Sequence, residues 1–95
     1  MSKTIVKPVT IEGIELGSLT ERYAVLAFNN DVTTFSQVIA VLMTVCGYYA
    51  EKGRQYASKI DREGKAVVYW ASMERCDGLI SALRGIGVES YLVEN

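Results

Sequence analysis

The sequence predicts a single α/β domain in which three strands carry helices over one face. Three observations lead there. Short runs of β-branched and aromatic residues alternate with segments of helical period, and each helical segment is bounded by capping residues or glycine. The whole chain is 95 residues long, the size of one small domain, and its apolar content of 49% suffices for a modest core.

Residues 1–20 scatter Ile, Val and Leu among Thr, Glu, Gly and Pro8 without a sustained helical period, and are expected to form a tail or extended arm ahead of a domain over 21–95. From Arg22 to Phe28 the apolar run has the length of a largely buried strand, and Asn29-Asn30-Asp31 halts it with turn-forming side chains. Thr34 and Gln37 have capping-box spacing, and Phe35, Val38, Ile39, Leu42, Val45 and Cys46 recur at helical steps until Gly47, which predicts a helix over 34–46. A second helix is predicted over 49–62. Tyr49, Gly53, Tyr56, Ala57 and Ile60 mark its apolar face, and Gly64 its stop. Lys65–Ala71 has the composition of a half-buried strand. Ser72 then caps a third helix with Met73, Cys76, Leu79, Ile80, Leu83 and Ile86 in one stripe, Glu74 in its first turn, and Gly85 and Gly87 at its end. A closing strand over 88–93 completes the order β, α, α, β, α, β.

Composition excludes several functions. A net charge of −1 gives no drive toward nucleic acid or anionic membranes, and no apolar run approaches the roughly 20 residues of a spanning helix. With no signal-peptide pattern either, a cytoplasmic location is expected. Cys46 and Cys76 lie inside helical patterns, where reduced core thiols are expected in place of a disulfide or metal site. Histidine is absent, which removes the usual general base and the commonest metal ligand. There is no phosphate loop, nucleophile elbow or paired-Cys motif, so no cofactor is expected and any catalysis would have to rest on carboxylates, lysines or tyrosines alone.

On the residues alone, Asn29-Asn30-Asp31-Val32-Thr33-Thr34-Phe35 makes either an Asx-type turn into the helix or the polar rim of a pocket. The stretch resembles the Clp protease adaptor family ClpS, in which a strand ends in Asn-Asp-Asp, followed by an aromatic residue, Thr and a helix. Here it reads Asn29-Asn30-Asp31-Val32-Thr33, continues into Val38-Ile39-Ala40-Val41-Leu42, and is joined downstream by Asp61-Arg62-Glu63-Gly64-Lys65-Ala66. The Thr34-Phe35 pair is similar to that of cyanobacterial and plastid-related members. The resemblance implies an α+β fold, a three-stranded antiparallel sheet packed on three helices. It also implies a non-enzymatic adaptor that binds N-terminal degrons, a large apolar or aromatic first residue with a free α-amine, and delivers them to a Clp unfoldase of the ClpA or ClpC type.

A free α-ammonium carries three N–H donors and a charge, so holding it takes several acceptors, preferably with a carboxylate, at the mouth of a cavity. Asn29 and Asp31 offer an amide oxygen and a carboxylate. Ala57, Ile60 and Asp61 share a helical face, and Phe35, Val38, Ala57 and Ile60 are the candidate apolar walls. The expected degron contacts are thus Asn29, Asn30, Asp31, Thr33, Phe35, Val38, Ala57, Ile60 and Asp61. Three positions depart from the family: Asn30 replaces its first acid, Asp61 its amine-holding histidine, and Phe35 its gate methionine. Glu74 matches the acid that contacts the unfoldase, whereas Leu79 stands where a lysine is expected. Two other readings remain open: an interaction domain of this fold without degron binding, and an enzyme using Asp31 and Asp61 as acid and base, which requires environments that separate their pKa values.

Overall fold

The computed structural model describes residues 22–94, so the expected N-terminal arm lies outside the described residues. Its elements are β1 (Tyr23–Phe28), α1 (Phe35–Cys46), α2 (Ala50–Glu63), β2 (Lys65–Ala71), α3 (Met73–Gly85) and β3 (Ser90–Glu94). The strands form one antiparallel sheet in the order β2-β1-β3, with the first strand at its centre. This is the fold class the sequence predicts, in the same element order.

Local chemistry sets most boundaries. The capping box at α1 forms as its spacing requires: the Gln37 amide donates to Thr34 Oγ1 at 3.2 Å, and the Thr34 amide donates to Gln37 Oε1 at 2.9 Å. The Arg75 amide donates to Ser72 Oγ at 3.3 Å at the start of α3. Gly64 ends α2 at φ 86°, where a side chain is strained. The last strand starts at Ser90, two residues after the expected Val88, because the Val88 amide still bonds Leu83 O at 2.9 Å and belongs to the end of α3.

The core lies between the sheet and the helices. Val38 and Leu42 of α1, Ala57 and Ile60 of α2, and Cys76, Leu79, Ile80 and Leu83 of α3 close on Val25, Ala27, Val68 and Ala71. Each large aliphatic chain fully removed from water contributes about 1.5–3 kcal/mol. Gly53 lets α2 approach α1 closely, since a Cβ there sits 3.3 Å from Ile39 Cγ2. A register shift between Val25 and Leu26 pairs them with Tyr69 and Val67, leaving Val68 as an extra residue whose carbonyl accepts the Tyr48 hydroxyl at 2.7 Å.

Several expected core positions are exposed. Tyr49 is the N-cap residue of α2, not part of its apolar face, and is 86% exposed. Phe35, Val45 and Met73 are exposed too: Phe35 and Met73 open their helices and Val45 lies in the last turn of α1, where packing on one side is missing. Both cysteines are free of disulfides, Cys76 buried and Cys46 half-buried. Burial, reinforced by Cys76 and opposed by Lys52, pushes the Cys46 thiol up to about 12. Among the described residues no helix is long and apolar enough to cross a membrane, and no group of three His, Cys, Asp or Glu is placed to hold a metal ion.

Candidate functional site

The site begins where β1 runs out. The Phe28 amide donates to Glu89 O at 2.9 Å and the Asn29 amide to Gly64 O at 2.9 Å, so the chain leaving the central strand is held by a neighbour on each side. Asn30 then folds the loop: its Oδ1 accepts the amides of Val32 at 2.8 Å and Thr33 at 2.7 Å. Its Nδ2 donates to Gly87 O at 2.7 Å and to Thr33 Oγ1 at 3.1 Å, and the Thr33 hydroxyl donates to Ile86 O at 2.7 Å. The loop is thereby tied to the turn after α3, where Gly87 has a φ of 90° and a Cβ would lie 3.2 Å from Thr33 Oγ1.

Between this loop, the start of α1 and the second half of α2 lies a cavity of about 80 Å³. That is several times the roughly 10–15 Å³ that one water requires. Val38, Ala57, Ile60 and Val88, all buried, supply its apolar surface, and Asn29, Thr34, Phe35 and Asp61, all exposed, stand around its mouth. Phe28, Asn30 and Thr33 complete the lining. Asp61 is the one charged side chain among these residues.

Of the residues expected from the sequence, the structure brings Asn29, Asn30, Thr33, Phe35, Val38, Ala57, Ile60 and Asp61 to this cavity. Asp31 is exposed and lies outside its lining, which also separates it from any pairing with Asp61 within the cavity. Glu74 sits exposed in the first turn of α3, at the opposite end of that helix from the Ile86–Gly87 turn. Sequence reasoning missed Phe28, Thr34 and Val88. Thr34 and Phe28 flank residues already singled out, and adjacency was the available signal. Val88 carries no local signal, because only the β2-β1-β3 order brings the end of α3 beside the end of β1.

Chemically, this is a small apolar recess with acceptors at its mouth. Neither the Asn29 nor the Asp61 side chain has a hydrogen-bond or ion-pair partner among the described residues; the ion pair nearest in sequence joins Arg62 to Glu63 at 3.7 Å, both exposed. Asp61 lies in the last turn of α2 (Ala50–Glu63), where a carboxylate meets the negative end of the helix dipole. Local stability disfavours an acid there.

The same fold occurs in the structure of Agrobacterium tumefaciens ClpS2 bound to L-phenylalaninamide, with a TM-score of 0.69 and 22% identity over 79% of this chain and 98% of that one. The chain is also 27% identical over 66 residues to E3 ubiquitin-protein ligase UBR2 of Mus musculus, covering 70% of this chain and 4% of the ligase. It is 34% identical over 58 residues to E3 ubiquitin-protein ligase UBR1 of Drosophila melanogaster, covering 61% of this chain and 3% of the ligase. It thus corresponds to a very small part of either enzyme. The model of the family described as ATP-dependent Clp protease adaptor protein ClpS matches residues 18–86, and with that match spanning most of its length the chain belongs to the ClpS family.

Proposed function

We propose that the protein is a non-catalytic adaptor that binds N-terminal degrons in this cavity and delivers them to a Clp unfoldase of the ClpA or ClpC type in the cytoplasm. One observation carries the reading: two acceptors without partners among the described residues, Asn29 and Asp61, stand at the mouth of a recess floored by Val38, Ala57, Ile60 and Val88. The floor takes part of a large apolar or aromatic first side chain, with Phe35 exposed at the entrance. The mouth takes the α-ammonium, whose donors and charge match an amide oxygen and a carboxylate. An acid retained at the wrong end of a helix fits this role, since local rules are broken where function requires it. The ClpS2 structure supports the reading, because the L-phenylalaninamide bound to that protein combines an aromatic side chain with a free α-amine. Glu74 is the proposed contact with the unfoldase.

The test is a titration with peptides beginning in Phe, Leu or Ser, each with a free and an acetylated α-amine. Burying part of a large side chain contributes up to about 1.5–3 kcal/mol, and each charge-assisted hydrogen bond about 1.5–3 kcal/mol. Phe- and Leu-first peptides are expected to bind only with the amine free. Equal binding of acetylated and free peptides, or no binding at millimolar concentration, replaces this reading with an interaction domain that does not recognise degrons.

A further inference from the structure

We propose that Asn30 is a positioning residue, a clamp that fastens the cavity rim to the turn after α3, and is not a ligand of the ammonium; this rests on the reading of the cavity given above. A carboxamide has two acceptor lone pairs and two N–H donors. The Asn30 oxygen takes the Val32 and Thr33 amides at 2.8 and 2.7 Å. Its nitrogen gives one N–H to Gly87 O at 2.7 Å and the other to Thr33 Oγ1 at 3.1 Å. All four places are filled, so no acceptor is left for a ligand. The orientation of the amide is fixed as well, because reversing it sets oxygen against the Gly87 carbonyl and NH2 against two backbone N–H groups.

An Asx-type turn accounts for the two bonds to Oδ1, and an aspartate makes those equally well. What the amide adds is the pair of donors. With Asp at this position the second carboxylate oxygen faces the Gly87 carbonyl across the 2.7 Å now spanned by a hydrogen bond. Thr33 shares the work: its proton goes to Ile86 O at 2.7 Å, which leaves its oxygen to accept from Asn30. These bonds join residues 57 and 53 positions apart. The clamp therefore spans two segments that meet only in the folded chain, and it orients the loop that presents Asn29. The formal negative charge of the lining is left to Asp61.

The experiment compares the full chain with Asn30→Asp, Asn30→Ala, Thr33→Val and the double Asn30→Ala/Thr33→Val variant. Each is titrated with a Phe-first peptide, free or acetylated at the α-amine, and each is unfolded in urea without peptide. Asn30→Asp is expected to lower the urea midpoint and to bind no more tightly. Thr33→Val and Asn30→Ala are each expected to weaken free-amine binding by about tenfold and to lower the free-to-acetylated affinity ratio, with the double variant losing less than the two single losses combined, because the bond between the two side chains is shared. Tighter binding by Asn30→Asp, or a loss with Asn30→Ala that Thr33→Val does not share, makes Asn30 a direct ligand and overturns the clamp. So does an unchanged free-to-acetylated ratio, which assigns Asn30 to stability alone. If the unsubstituted chain binds none of the peptides, the degron reading fails on its own. The urea data then decide the clamp: coupling between the two positions supports it and strict additivity overturns it.

Discussion

Replacing Asp61 by Asn separates binding from stability, because the structure gives the two effects opposite signs. The side chain stands exposed at the cavity mouth, in the last turn of α2, without a partner among the described residues. Two unit charges about 4 Å apart attract by about 1 kcal/mol in water and about 4 kcal/mol at an effective dielectric constant near 20. An exposed mouth lies toward the first value. A hydrogen bond to a charged group contributes about 1.5–3 kcal/mol, so deleting the charge while keeping an acceptor costs about 1.5 kcal/mol, or about tenfold in affinity. For folding, the amide removes a carboxylate from the negative end of the helix dipole and is worth about 0.3–1 kcal/mol in the stabilising direction. The assay is fluorescence anisotropy with a labelled Phe-first peptide at low and high salt, paired with urea unfolding. The variant is expected to bind more weakly, unfold at a higher midpoint, and differ less from the parent at high salt, where surface charges are screened. Unaltered affinity in the folded variant refutes the reasoning and assigns Asp61 to the solvated surface.

Ser90 is fully buried and its hydroxyl has no hydrogen-bond partner among the described residues, so Ser90→Ala is expected to raise the unfolding free energy by about 1 kcal/mol, measured in urea. Gly87→Ala forces a Cβ into positive φ and to 3.2 Å from Thr33 Oγ1; it is expected to cost about 1–2 kcal/mol and to weaken Phe-first peptides as well, by calorimetry. The Cys46 thiol ionises near its usual 9.0 when unfolded but only near about 12 when folded, so the unfolded state sheds its proton first and stability is lost as pH rises through that interval. Urea midpoints between about pH 8 and 11 are expected to fall less steeply in Cys46→Ala; part of the fall remains, because burial and the neighbouring Tyr56 and Tyr69 still raise the Tyr48 phenol in that variant.

The architecture was legible because its information is local. Thr34 with Gln37, Ser72, Gly47 and Gly64 mark helix ends by their own hydrogen bonds and backbone angles, and the stripe from Cys76 to Leu83 needs no partner to be recognised. Apolar period alone overreached at helix termini, as at Phe35, Val45 and Met73, since it cannot tell where packing stops. The site was half local. Asn29 and Thr33 sit in one loop, and Ala57, Ile60 and Asp61 on one helical face, but resemblance was needed to bring loop and face together. Asp31 and Asn30 show the limit. Residue type marks both as acceptors, yet the first lies outside the cavity lining and the second is consumed by bonds to Thr33, Val32 and Gly87. Bonds to a carbonyl 57 positions away leave no trace in local sequence.

The central place of β1 also governs when the site can exist. Among the described elements this strand is synthesised first, yet one of its two neighbours in the sheet is the last of them to be made. Pairings between such distant segments are slow to form, because the intervening chain must close before they are rewarded. While the chain is still being translated, Phe28 lacks the Glu89 carbonyl and Asn30 lacks the Gly87 carbonyl that set the loop. The recess is therefore assembled only as β3 docks beside β1, and a chain released before that point has the loop and the helical face without the turn that holds them in register.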